Sequence, residues 1–275
     1  MLPKGANRVR AARRLTRRAS RAERGLFLAE GPQAVGEALA GEGLVREVLA
    51  LPGRFPELAE RAGAAGVPWL VVDEPALASL SETVTPQGVV AVCRTLDVPL
   101  DELLAAGPRL LAVCAEVRDP GNAGTVVRCA DAAGADGVVL AGSSVDPYNG
   151  KAVRATAGSL FHLPLVLAPD PLDVVRRAGA AGLVVLAADG YGEVDLDDAL
   201  DDGLLDGPTA WLFGNEAQGL AEPLAAAADH RVRIPVHGRA ESLNLATAAA
   251  VCLYASARAH RRGSSRMPAP GSRPL

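Results

Sequence analysis

"RLLAVCAEVRDPGNAGTVVRCADAAGADGVVLAG" spans Arg109–Gly142, and how it is read decides the fold class. The runs "LLAVCA" and "GVVLA" are continuously apolar, the pattern of strands covered on both faces. Between them come a Pro120–Gly121 turn and Asn122, placed to cap a helix. Ala123, Val126, Val127 and Ala130 then recur on one face at helical spacing, while Gly124, Arg128 and Asp131 fall on the other. Strand, helix and strand in this order make a parallel pair. The alternation continues with a helix near Lys151, strands "LVVLAA", "AWLFG" and "RVRIPV", and a long helix from Ser242. The expected class is α/β with a parallel sheet.

Residues 1–95 alternate in the same way over a shorter length. A basic helix over roughly 5–22 precedes a strand "LFLAEG" and a helix with Pro32 at its first position. The strands "VREVLAL", "VPWLVV" and "GVVAVCR" follow, with helices around Glu57–Ala65 and in "DEPALASLS". This makes a smaller α/β domain. Residues 96–108 carry Pro99 and Pro108 and read as a linker; 109–260 form the second domain, and 261–275 read as a disordered basic tail.

Composition narrows the function. A chain of 275 residues, 49% hydrophobic and 22% charged, supports real cores, although with 3% aromatic residues Leu, Val and Ala must fill them. The longest apolar stretch, Leu245–Ala257, falls short of the ~20 residues of a membrane span and contains Thr, Tyr and Ser. Cys93, Cys114, Cys129 and Cys252 show no CxxC spacing, and His162, His230, His237 and His260 are scattered. No metal site, disulfide or membrane contact is expected, and the thiols suit a cytoplasmic protein. The net charge of −4 hides an asymmetry: residues 1–25 carry +8 and residues 258–275 carry +5, leaving −17 in between. Basic ends on an acidic body point to a polyanionic partner.

The phosphate-binding signatures fail. No G-x-G-x-x-G follows a strand, and "GNEAQGL" ends in Leu where a P-loop requires Lys and Ser/Thr. Three polar loops after strands remain. The first holds Asn122 and, a few residues on, Arg128. The second, "AWLFGNEAQGL", delivers Phe213, Gly214, Asn215 and Glu216. The third, "IPVHGRAESLNLATAAAV", runs from Ile234 to Val251. Ser242 there fits an N-cap, which leaves Asn244 inside the first turn without an assignment. Lys151 and Arg154 are expected at the same sheet edge. Open α/β sheets bind ligands at the carboxyl ends of their strands.

In order, spacing and identity these segments resemble the three motifs of the SpoU (TrmH-like) RNA ribose 2′-O-methyltransferases of the SPOUT superfamily. They are "DPGNAGTVVRCADAAGADGVVL", "WLFGNEAQGL" and "IPVHGRAESLNLATAAAVCLYA". Residues 5–94 resemble the smaller RNA-binding domain that many members carry. The resemblance implies a deep trefoil knot near the C-terminus, an S-adenosylmethionine site and a homodimer. It implies a cofactor site at Phe213, Gly214, Asn215, Ile234 and Leu243, and a catalytic set of Asn122, Arg128, Glu216, Ser242 and Asn244. The expected activity is 2′-O-methylation of structured RNA, ribosomal before transfer RNA. A non-catalytic RNA-binding protein of this fold is the alternative. An enzyme acting on a base nitrogen is disfavoured by "ESLNLATAAAV", which resembles ribose methylators.

Overall fold

The computed structural model describes residues 1–266. They gather into two compact units: Met1–Asp97 with Asp119–Arg128 and Val145–Leu163, and Val98–Arg118 with Cys129–Ser144 and the chain from Pro164 onward.

The first unit opens with α1 (Asn7–Arg14) and α2 (Arg18–Arg24). The sequence leads one to expect a single basic helix here. The chain breaks it because Leu15 turns inward, 2% exposed, and Arg21, itself buried, donates to the carbonyls of Leu15 and Thr16 at 2.9 Å each. Gly25, at φ 60, ends α2 in the left-handed conformation that glycine adopts without strain. There follow β1 (Leu26–Glu30), α3 (Pro32–Ala38), β2 (Val45–Ala50), α4 (Pro56–Ala64), β3 (Trp69–Val71), α5 (Glu74–Ala78) and β4 (Val89–Arg94). The sheet order is β1-β4-β2-β3, with β4 antiparallel to both neighbours and β2 parallel to β3. Val9, Ala12 and Leu15 of the basic segment pack against Leu28, Leu49 and Val92 of this sheet.

Next come α6 (Leu100–Ala105), β5 (Leu110–Ala115), α7 (Pro120–Ala133), β6 (Gly137–Ala141), α8 (Gly150–Ala155), β7 (Leu165–Ala168) and α9 (Pro171–Ala180). The chain ends with β8 (Val184–Ala188), β9 (Val194–Asp195), α10 (Leu196–Asp201), β10 (Thr209–Phe213), α11 (Glu222–Ala225), β11 (His230–Arg233) and α12 (Leu245–Arg266). The seven-stranded sheet of the second unit runs β7-β6-β5-β10-β8-β11-β9, and every strand pair in it is parallel, as the continuous apolar runs require. Val113 and Leu212 on one face of this sheet share a core with Leu100 and Leu103 of α6 and with Val174 and Val175 of α9. On α12, Ser256 Oγ accepts from Trp211 Nε1 at 2.8 Å and from the Thr209 hydroxyl at 3.2 Å, satisfying two buried donors of β10.

Two expectations change. Residues 96–108, read as a linker, contain α6: Pro99 sits at its N-cap rather than breaking it, and Leu100 and Leu103 are buried. α12 continues to Arg266, beyond the expected end at residue 260, so residues 261–266, expected in a disordered tail, are helical. The rest of the expected basic tail, 267–275, lies outside the described residues. Among the described residues no helix is long and apolar enough to cross a membrane.

Candidate active site

In the first unit, α7 begins at Pro120, two residues earlier than expected, and its cap is Asp119 rather than Asn122. Asp119 Oδ1 accepts from the Asn122 backbone N–H at 2.8 Å, and its carbonyl accepts from Ala123 at 3.0 Å. That places Asn122 in the first turn of the helix rather than at the cap that the sequence suggested. Lys151 Nζ, 2.9 Å from Asp119 Oδ2, and the Asn122 N–H hold the Asp119 carboxyl below the ordinary carboxylate range. The expected apolar face is buried at Ala123, Val126, Val127 and Ala130.

Gly124 is a correction to that helix. It lies buried, and a Cβ there would come within 2.4 Å of the Ala152 carbonyl oxygen and 2.7 Å of the Ala155 methyl. Its missing side chain makes room for α8. Lys151 and Arg154 are likewise committed, to Asp119 and to Glu30 at 3.2 Å. Arg128 is exposed, and among the described residues it has no carboxylate partner, so the pairing with Asp131 that helical spacing allows is not made.

In the second unit, β8, β10 and β11 lie side by side, so the chain leaving each emerges at one edge of the sheet. Phe213 is 2% exposed, its ring stacked on Trp211 at 6.4 Å, so its side chain belongs to the core. Gly214 follows, where a Cβ would sit 2.3 Å from the Gly219 carbonyl carbon; no side chain fits. Asn215 closes the loop. Its Nδ2 donates to the Glu116 carbonyl at 2.9 Å, its Oδ1 accepts from Ala217 and Gln218 at 3.0 and 3.1 Å, and its backbone pairs with Gly219. That side chain clips the loop to the end of β5. Glu116 meets it in a left-handed conformation, φ 58, a strain non-glycine residues carry chiefly at functional sites.

Glu216 is exposed, and its Oε2 accepts from the Arg118 N–H at 3.1 Å. Burial, and after it the Glu216 charge, pushes the nearby Cys114 thiol up to about 12. Beyond β11, Ile234 is half-buried, and the chain from Val236 to Asn244 is exposed, including the apolar side chains of Val236 and Leu243. Here the opening of α12 differs from expectation. The cap is Asn244, whose Oδ1 accepts from Ala246 at 2.9 Å and Thr247 at 3.3 Å; Ser242 lies two residues outside.

Two features escaped the sequence reading. Arg231 on β11 binds Asp189 Oδ2 at 2.7 Å and Glu222 at 3.1 Å, tying the loop after β8 to α11. Burial raises the Asp189 carboxyl, but the Tyr191 N–H and Arg231 outweigh it and leave it below its ordinary range. No local pattern marks either partner. The second is an open cleft of about 280 Å³ walled by Leu172, Leu220 and Leu224, with Asp170, Asn215 and Gln218 around it. Of the residues implied for the cofactor, only Asn215 lines it.

The predicted residues thus divide. Asn122 and Arg128 belong to the first unit; Gly214, Glu216, Ile234, Ser242, Leu243 and Asn244 belong to the second. Glycine-flanked backbone and the exposed apolar side chains of Val236 and Leu243 lie on loops at one edge of this sheet. Among the described residues no group of three metal-ligating side chains exists.

The model of the SpoU rRNA Methylase family matches residues 109–254, and that of the MRM3-like substrate binding domain matches residues 6–91. The 23S rRNA (guanosine(2553)-2′-O)-methyltransferase RlmP of Bacillus subtilis is 35% identical over 93% of this chain and 96% of its own. A 23S rRNA (uridine(2479)-2′-O)-methyltransferase of Streptomyces viridochromogenes is 38% identical over 63% of this chain and 61% of its own. Among solved structures, the AdoMet-bound rRNA methyltransferase from Sinorhizobium meliloti superposes with a TM-score of 0.79 at 35% identity, covering 92% of this chain and 94% of that one. The SpoU methyltransferase AviRb from Streptomyces viridochromogenes, in complex with AdoMet, gives 0.81 at 32% identity, covering 94% and 99%.

Proposed function

The chain belongs to the SpoU rRNA methylase family, and on that premise we propose that it methylates a ribose 2′-hydroxyl of 23S ribosomal RNA, using S-adenosylmethionine. The observation that carries this reading is the sheet edge where β8, β10 and β11 release their glycine-bearing and exposed apolar loops. A relative that spans nearly the whole chain and is named for 23S ribosomal RNA favours it over transfer RNA. When bound, the cofactor supplies an electrophilic methyl group.

The protein must align an oxygen with that methyl group and help the hydroxyl lose its proton. Alignment is worth up to ~7–11 kcal/mol for well-oriented reactants. Main-chain groups at Gly214, Ile234 and Leu243 are assigned to holding the cofactor. Arg128 cannot serve as the base, because a guanidinium stays protonated. Exposed and without a carboxylate partner among the described residues, it suits a clamp on the neighbouring phosphate and the developing alkoxide. Of Glu216, Ser242 and Asn244, only Glu216 has the chemistry of a proton acceptor. Asn122, Ser242 and Asn244 are assigned to positioning the ribose.

Residues 1–95 are assigned to gripping the RNA and 109–260 to methyl transfer, a division supported by the spans of the two family models. Of the nine basic residues in 1–25, all but Arg21 are exposed, a surface suited to phosphate and sugar contacts. A homodimer is supported by the exposed Val251 and Tyr254 on α12, and a trefoil knot near the C-terminus is part of the same reading through the family. We assign the activity to the cytoplasm, an assignment supported by the ribosomal RNA named for the relatives. The test is methyl transfer from labelled S-adenosylmethionine to ribosomal RNA lacking the modification, with mapping of alkali-resistant positions. Label confined to one 2′-O-methylated nucleotide is the expected outcome; cofactor binding without label on naked or ribosome-assembled RNA rejects the reading.

A further inference from the structure

The cleft beside the Glu216 loop has no part in the scheme above. Its 280 Å³ lies just below the ~300–1,000 Å³ of pockets that enclose whole drug-sized ligands, a scale suited to one planar ring system. Leu172, Leu220 and Leu224 provide apolar walls. Gln218 and Leu220 belong to the loop that carries Glu216, so this wall and the assigned proton acceptor are held together by the Asn215 clip. The polar rim is strongly biased toward acceptors. Asp170 caps α9, its Oδ1 accepting from the Leu172 N–H at 2.9 Å, and a carboxylate retains further lone pairs for a ligand. The Gln218 side chain is exposed and makes no hydrogen bond among the described residues, which leaves an amide donor and acceptor free.

A ribose being methylated carries a base, and that base must lie close to the reacting hydroxyl. RNA is read chiefly through unstacked bases whose edges are hydrogen-bonded. We propose that this cleft receives the base of the methylated nucleotide and selects guanine. Guanine alone presents two adjacent donors, N1–H and the 2-amino group, beside an acceptor, O6. A carboxylate takes the first two together, and an amide N–H meets the third. Adenine, cytosine and uracil each put an acceptor where Asp170 requires a donor. This proposal rests on the RNA-methylation reading, since it supplies that reaction's base subsite.

The test is binding of GMP, IMP, AMP, CMP and UMP to the full chain saturated with S-adenosylmethionine, followed by NMR titration. GMP should bind at least about ten-fold more tightly than AMP, the low end for a bidentate base contact, with IMP, which lacks the 2-amino group, in between. Asp170→Asn, which preserves the helix cap, should abolish that preference, and Gln218→Glu should weaken GMP alone. Equal binding of the five nucleotides, no saturable binding, displacement of S-adenosylmethionine by GMP, or an unaltered preference in Asp170→Asn would each overturn the proposal. Methyl transfer to RNA is measured in parallel. Loss of transfer with GMP selectivity intact would reject the reaction and leave the cleft standing.

Discussion

Asn244 separates a structural role from a chemical one. Its side chain caps α12 through Oδ1, with the Ala246 N–H at 2.9 Å and the Thr247 N–H at 3.3 Å. Removing such a cap costs about 1 kcal/mol, within a range of ~0.5–2. That loss stays local, because Ala249, Cys252, Leu253 and Ser256 anchor the next two turns in the core. Asn244→Ala should therefore lower stability by about 1 kcal/mol in urea denaturation and shift Tm by roughly 2–4 °C for a domain of this size. Asn244→Asp and Asn244→Ser keep a capping oxygen and should leave stability near its starting value. If the amide positions the ribose, all three variants lose at least ~10-fold in single-turnover methyl transfer while binding S-adenosylmethionine normally. The comparison between stability and rate is the assay. Recovery of both in the Asp and Ser variants would refute the positioning role and reduce Asn244 to a helix cap.

Arg128→Ala should slow the chemical step by at least ~100-fold, the scale of losing one transition-state donor, with cofactor affinity by calorimetry unchanged; a parallel collapse of affinity would make it a pocket residue instead. The RNA grip is best probed by substitution, since deleting residues 1–22 would remove Val9, Ala12 and Leu15 from the core. Replacing the exposed Arg10, Arg13, Arg14 and Arg17 by Gln should weaken RNA binding and flatten its logarithmic salt dependence by about 0.7–0.9 per lost phosphate contact, without a change in Tm; an unaltered slope would dismiss the basic helices as RNA ligands. Arg21 is different in kind. Its guanidinium meets Asp146 Oδ2 at 2.7 and 2.9 Å with both side chains largely buried, so Arg21→Met strands a carboxylate and should cost roughly 3–5 kcal/mol in urea denaturation, whereas a loss below 1 kcal/mol would show that Asp146 finds water.

How far the sequence carries depends on the range of the interaction. Strands β5, β6 and β10 were legible because an apolar run needs no partner to be recognised, and their continuity already implied a sheet covered on both faces. Elements of marginal local signal were missed. β9 is two residues long and exists because β11 offers it an edge, while β7 and α9 lie in a stretch where prolines and arginines obscure the period. Helix starts were placed within a few residues and assigned the wrong cap both times. "RDPGN" and "ESLN" each offer several capping side chains, and only the backbone path selects Asp119 and Asn244. Motif order and spacing alone were enough to indicate the family and a chemistry.

Tertiary structure decided what each polar residue is free to do. Gly124 is small because α8 crosses it; Lys151 and Arg154 are spent on Asp119 and Glu30; Asn215 is a clip; Arg21 is a buried ion-pair partner within an otherwise exposed basic segment. The physical reason is common to all of them. Hydrogen bonds and ion pairs act over about 3 Å, between residues that in this chain stand up to 125 positions apart, and no local pattern in a sequence specifies which distant group will arrive there.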